Sequence, residues 1–227
     1  MDKASQYRQL VEKRKTCDRC TAYLANPSTI DGGSLDCDEI GAYSRWQGNL
    51  NAELMIVAQD FADVAGFRKY RGWPGERVQT NLVLAELIAE AGIQIKPPRV
   101  GVSDDRLFFT NAALCMKKGG MQARIPESCL RECGKQFLRP VIELVAPRIV
   151  VTLGSKAMEA VSVAFRFQSA GTLGSVVARP IQLNVTTALV PLYHPGRTVL
   201  NTIRSLDAQH ADWREVGRVL AELKAAA

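Results

Sequence analysis

Four short apolar runs, each followed by a segment of helical periodicity, constrain this chain more than any other feature. The runs are Leu54-Met55-Ile56-Val57, Leu107-Phe108-Phe109-Thr110, residues 148–153 and residues 187–192. Apolar runs this short, without alternation, fit strands buried on both faces. Helical patterns cover residues 3–16, 81–91 (closed by Gly92), 126–145, a segment opened by Gly154-Ser155, and 208–224. Strands alternating with helices predict an α/β fold: a three-layer α/β/α sandwich around a central, mostly parallel four-stranded sheet. Residues 22–50, rich in Gly, Asp and Asn, and residues 60–77, with three Gly and a Pro, read as long loops. No repeat or linker divides the sequence, so one domain is expected over residues 1–227.

Composition narrows the class. With 47% hydrophobic and 23% charged residues among 227, the chain is globular rather than disordered or fibrous. No apolar stretch reaches membrane-spanning length. Residues 1–15 are polar and basic with no apolar core, which argues against a secretory leader and for a cytoplasmic protein. The net charge of +6 suits a polyanionic partner without requiring one. Six cysteines in a reducing compartment point to metal or cluster ligation, or to burial as free thiols, rather than to disulfides.

Cys17 and Cys20 form C-x2-C. Cys115 follows the second strand, and Cys133 lies in the 126–145 helix. Two thiolates from one tight turn and two distant ones complete a four-thiolate site, for zinc or for a [4Fe–4S] cluster. Cys37 and Cys129 read as buried free thiols, with Cys129 a competitor of Cys133 for the fourth position.

In parallel α/β sheets the working residues sit just past the carboxyl ends of strands. That rule selects Gln59-Asp60, Asn111, Gly154-Ser155 and His194. A carboxylate at a strand tip can orient water or stabilise a developing cation. The Asn111 amide carries donors and an acceptor in one plane and can pair with a pyrimidine edge. His194, one of two histidines, can donate to an anion forming on a leaving group. His210, in the last helix, reads as a surface group.

Taken in order, these motifs resemble the uracil-DNA glycosylase superfamily over most of the chain, from about Cys17 to Asn201. The scaffold is similar to the iron–sulfur family 4 enzymes: C-x2-C near the N-terminus, Thr110-Asn111 before a third Cys, and a fourth Cys ahead of Pro147-Arg148-Ile149-Val150-Val151-Thr152-Leu153-Gly154. That family's spacing to Pro147 favours Cys133 over Cys129. The first catalytic motif departs from family 4, which has Gly-Glu-Ala-Pro-Gly. Gln59-Asp60 resembles the Gly-Gln-Asp-Pro-Tyr of family 1. The combination is most similar to the Bradyrhizobium-type group, with Gly-Gln-Asp-Pro-Ala, whose Gly and Pro are replaced here by Ala58 and Phe61.

The resemblance implies base excision repair of DNA containing uracil, by flipping the nucleotide into a pocket and releasing the free base. Asn111 would read uracil O4 and N3–H; cytosine leaves buried groups unpaired, at about 1–3 kcal/mol each. Asp60 would stabilise the oxocarbenium-like sugar and position water, His194 would donate to uracil O2, and Gln59 would contact the base. Trp73 would stack on the flipped base, with Phe61 the alternative. Ala62 stands where family 1 has a Tyr that blocks the thymine methyl, which implies tolerance of 5-substituted uracils. Pro195, Gly196 and Arg197 match a loop that enters the minor groove, with Leu200 another wedge candidate and Arg204 nearby to add charge against the backbone. The cluster would be structural, with zinc the alternative. No lysine falls in these motifs, so the strand should be left uncut. The localisation expected is cytoplasmic, acting at a bacterial nucleoid. Two rivals remain: a non-catalytic, metal-stabilised binder of single-stranded or abasic DNA, and a glycosylase for deaminated purines.

Overall fold

The computed structural model describes residues 2–100, 106–167 and 171–225. In chain order its elements are α1 (Lys3–Lys15), β1 (Leu24–Ala25), β2 (Leu54–Ala58), α2 (Val64–Lys69), α3 (Gln79–Glu90), β3 (Leu107–Asn111), β4 (Met116–Lys117), α4 (Glu127–Cys133), α5 (Arg139–Val145), β5 (Ile149–Leu153), α6 (Ser155–Phe165), α7 (Leu173–Val176), β6 (Ile181–Gln182), β7 (Ala188–Leu192), α8 (Arg197–Thr202) and α9 (Leu206–Ala225). The central sheet runs β3-β2-β5-β7-β6. Its first four strands are parallel, as expected from the apolar runs, and β6 adds a short antiparallel edge.

Each parallel strand is buried along its whole length. Alternate side chains enter two cores. Met55, Val57, Phe108 and Val150 pack under α1, α4, α5 and α6. Leu54, Ile56, Phe109 and Val151 pack under α3 and α9 around Trp213. This period of two, inside runs with no polar break, is what a sheet covered on both faces demands.

Two prolines mark local exceptions. Pro191 lies within β7, where a missing N–H normally breaks a ladder. Its carbonyl accepts from Ala178 N–H on the β6 side, and β6 pairs only as far as Leu189, so no bond of that strand is lost. Pro140 falls inside the helix expected over residues 126–145. It cannot bond to Gln136 and its ring crowds that carbonyl. The chain responds with a wide, π-type turn over Gly134–Leu138, in which Arg139 N–H donates to Gly134 O, five residues back. The expected single helix is therefore α4, this turn and α5.

The long loop expected over residues 60–77 contains α2. Its N-cap is Asp63, whose Oδ1 accepts from Gly66 N–H at 2.7 Å. Residues 22–50 hold β1 and tight turns over Pro27–Gly33. β1 pairs antiparallel with β4, which no sequence period announced.

Candidate active site

The strand order positions the site. β3 lies on one side of β2 and β5 on the other, so successive connections leave in opposite directions and open a crevice at the carboxyl ends of β2 and β5. The tips are level: Ala58 pairs with Asn111, and Leu153 with Leu192. At β5 the chain turns into α6 through Gly154 at φ 91°, a left-handed conformation that a side chain would strain. Gly154 N–H donates to Leu192 O at 2.8 Å, fixing the β7 tip two residues before His194.

A cavity of about 410 Å³ occupies this crevice, lined among others by Gln59, Asp60, Phe61, Phe109, Gly154 and His194. Its volume falls in the range of small-ligand sites. The loop that carries Asp60 is stapled at three points: Ala58 O accepts from Ala112 N–H, Gln59 O from Ala113 N–H, and Ala62 O from Lys117 N–H. No residue from 58 to 62 has a positive φ, so Ala58 costs nothing where related motifs carry Gly. Phe61 replaces the rigidity of a Pro by packing edge-on against Tyr43 and Phe67.

The acid and the imidazole converge on this one hollow. Asp60 Oδ2 accepts from Gln59 Nε2 at 2.9 Å. Burial holds the His194 imidazole below its usual range, and the Asp60 carboxylate partly opposes that, so the ring is neutral near pH 7. Asn111 lies beneath the floor rather than in the wall. It is 2% exposed, shares its face of β3 with the cavity-lining Phe109, and its Nδ2 has no hydrogen-bond partner. A buried amide N–H left open in a sheet this well bonded is a site for an acceptor.

Several expected residues stand elsewhere. Trp73 is not in the cavity wall; the guanidiniums of Arg45 and Arg99 lie 4.0 and 5.4 Å from its ring centroid. Tyr43, Phe61 and Phe109 are the aromatic side chains of the wall, and Tyr43 stacks on Phe109 at 4.1 Å. Ala62 is buried against Gly66, away from the cavity. Pro195 is buried, and Gly196 and the exposed Arg197 open α8. Leu200 packs on the core, whereas Ile203 just past α8 is 61% exposed. Arg204 is held bidentately by Asp212 and is not free for a phosphate. His210 is not a plain surface group, since it bonds Glu90 at 2.9 Å and ties α9 to α3.

Sequence reasoning missed Tyr43, Asn81 and Lys117. Asn81 accepts from Tyr43 O–H at 3.0 Å and donates to Gly75 O. Burial, with the Asp60 charge nearby, raises the Tyr43 phenol and keeps it protonated. Lys117 Nζ lies 3.1 Å from Asp60 Oδ1. Lys117 and Lys156 both line the cavity, although neither falls in the sequence motifs.

The cysteines gather in a second, apolar hollow, lined by Cys17, Cys20, Cys115, Cys133 and the side chains of Arg14 and Arg19. Cys129 stands behind it, in contact with Cys20. Cys37 is outside, near Gly41 O. Burial and the neighbouring thiols push Cys20 and Cys133 up to about 12, and Cys115 higher. Among the described residues no three His, Cys, Asp or Glu side chains are grouped to hold a single metal ion.

The model of the uracil DNA glycosylase superfamily matches residues 46–216, from before β2 into α9. This chain belongs to the uracil-DNA glycosylase superfamily. The match takes in both strand tips that carry Asp60 and His194 and leaves Cys17 and Cys20 outside. A type-5 uracil-DNA glycosylase from Pyrobaculum aerophilum is 27% identical over 212 residues, 87% of this chain and 86% of that protein. The likeness carries the superfamily and not the subgroup. No described helix is long and apolar enough to cross a membrane.

Two outcomes follow for this superfamily member. The unfolded chain protonates His194 near 6.5, whereas the native site resists protonation. The contribution is complete above that value and is lost as pH falls below it. Urea unfolding should show a steeper loss of stability from about pH 7 to about pH 5 in the wild type than in His194→Gln. Second, a Cβ on Gly196 would lie 2.9 Å from His194 Nδ1, while φ at −76° carries no strain. Gly196→Ala should fold normally yet displace the ring, lowering the rate of base release about 10- to 100-fold in a single-turnover assay.

Proposed function

We propose that the protein is a uracil-DNA glycosylase that hydrolyses the N-glycosidic bond of a flipped deoxyuridine, releases the free base and leaves an abasic site. One observation carries this reading: a carboxylate and a neutral imidazole, from the tips of β2 and β7, meet in one cavity large enough for a nucleobase. Bond breaking leaves a cation-like sugar and a uracil anion. Asp60 stabilises the first and orients water. His194 donates a hydrogen bond to O2 of the second, and a preorganised donor of this kind contributes about 3–4 kcal/mol. The open Nδ2 of Asn111 suits uracil O4. Phe61 supplies the stacking face, in place of Trp73. The proposed substrate is uracil itself, since Ala62 has no part in the wall and gives no support for 5-substituted bases. Arg197, exposed at the start of α8, is the candidate for a phosphate contact. Strand cleavage is not proposed: Lys117 Nζ is already engaged by two acceptors, Asp60 Oδ1 and Met121 O.

The cysteine hollow fits a structural [4Fe–4S] cluster. Five thiols whose charged forms repel one another need a compensating cation if they are to ionise together. Arg14 Nε is buried beside them without a partner, a donor placed for a cluster sulfur. Cys17, Cys20, Cys115 and Cys133 would hold the cluster, and it would brace the fold without entering the reaction.

Two experiments test these readings. Asp60→Asn should lower single-turnover uracil release by two to four orders of magnitude while leaving affinity for uracil-containing DNA nearly unchanged. Binding without any release by the wild type would mean a DNA-binding protein, and release of hypoxanthine or xanthine instead of uracil would mean a purine-lesion enzyme. The purified protein should be brown, absorbing near ~400 nm from thiolate-to-iron bands. Cys133→Ser should lose that colour and Cys129→Ser retain it; a colourless, zinc-loaded wild type excludes the cluster.

A further inference from the structure

A buried ammonium inside the cavity is not explained by Asp60 and His194 alone. Lys117 is 7% exposed and its partner Asp60 11%. Desolvating an isolated ammonium to this depth costs several kcal/mol, so one is retained only where acceptors meet it. Here two do: Asp60 Oδ1 at 3.1 Å and the Met121 carbonyl oxygen at 2.7 Å. Gln59 Nε2 holds the other carboxylate oxygen, Oδ2. The carboxylate is therefore gripped at both oxygens from different directions, which fixes its plane. The backbone beneath Lys117 is fixed as well, by pairing with Leu24 and by its N–H to Ala62 O.

We propose that Lys117 is a positioning residue for glycosidic-bond cleavage: it holds the carboxylate of Asp60 oriented toward the sugar of the flipped nucleotide. This rests on the glycosylase reading above. The ammonium does not itself stabilise the transition state, because a positive charge beside a developing cation opposes it. Its action passes through Asp60.

The test compares Lys117→Met, which keeps length and removes charge, with Lys117→Arg, which keeps charge. Single-turnover uracil release, affinity for a uracil-containing oligonucleotide and melting temperature are measured for each. Lys117→Met should slow release about 10- to 100-fold with affinity retained, and Lys117→Arg should recover much of the loss. In an Asp60→Asn background, Lys117→Met should cost almost nothing further, since a residue acting only through Asp60 has nothing left to position. If Lys117→Met melts below the assay temperature, Lys117→Gln, which keeps a donor for Met121, takes its place.

Full activity in the uncharged variant, or an undiminished effect without Asp60, overturns the proposal while leaving the glycosylase reading intact. Borohydride trapping of the wild type on DNA, absent in Lys117→Met, overturns it differently, by making Lys117 a nucleophile. A wild type that releases no base overturns both readings.

Discussion

Everything at the site depends on the register of four parallel strands. Ala58 against Asn111 and Leu153 against Leu192 bring the strand tips to one level. A slip of one residue would turn Met55 and Val57 from one core to the other and carry Asp60 out of the crevice. The buried pattern forbids that slip, because both faces of every strand are covered. Catalytic geometry is thus enforced by hydrophobic packing well below it. The polar groups at the tips need only short loops, and those loops are stapled to one another by main-chain bonds.

Burial acts on two titratable groups of the cavity. Tyr43 and His194 are both pushed toward their neutral forms by burial. Asp60 is gripped at both carboxylate oxygens, by Lys117 and Gln59. A carboxylate held on one side of the cavity and a neutral imidazole donor on the other match what a cation-like sugar and a departing anion require. The open Nδ2 of Asn111 fits the same pattern: the site leaves a buried donor unsatisfied where a ligand can meet it.

The strands were legible because a doubly covered strand must be apolar throughout, and the tip residues were legible because tips are where such sheets work. What failed to show in the sequence depended on distant partners. Tyr43 lies in a stretch with no period, Asn81 sits on a helix whose other buried positions are apolar, and Lys117 belongs to a two-residue strand. Nothing local distinguishes them from solvated polar residues. The Gly and Pro around Trp73 correctly marked a loop but not the surface it would join. Arginines from two separate segments claimed the ring. Arg204 and His210 likewise found acidic partners on α9 and α3 that sequence spacing does not reveal. The π-type turn did have a signal, Pro140 inside a helical pattern, and its cost was met by widening one turn rather than ending the helix.

The two hollows are mechanically close. Cys115 is one residue before β4, and β4 carries Lys117. β1, the partner strand, begins four residues after Cys20, and its Leu24 pairs directly with Lys117. Two of the thiols proposed as cluster ligands thus flank the small ladder that aims the ammonium at Asp60. A two-residue ladder has too few bonds to hold itself. Its rigidity must come from what clamps its ends: Ala62 and Tyr23 carbonyls on one side, and the cysteine hollow on the other. A cluster there would tighten both ends of the ladder at once. A purely structural centre, taking no electron and touching no substrate, would still reach the chemistry through the placement of one lysine.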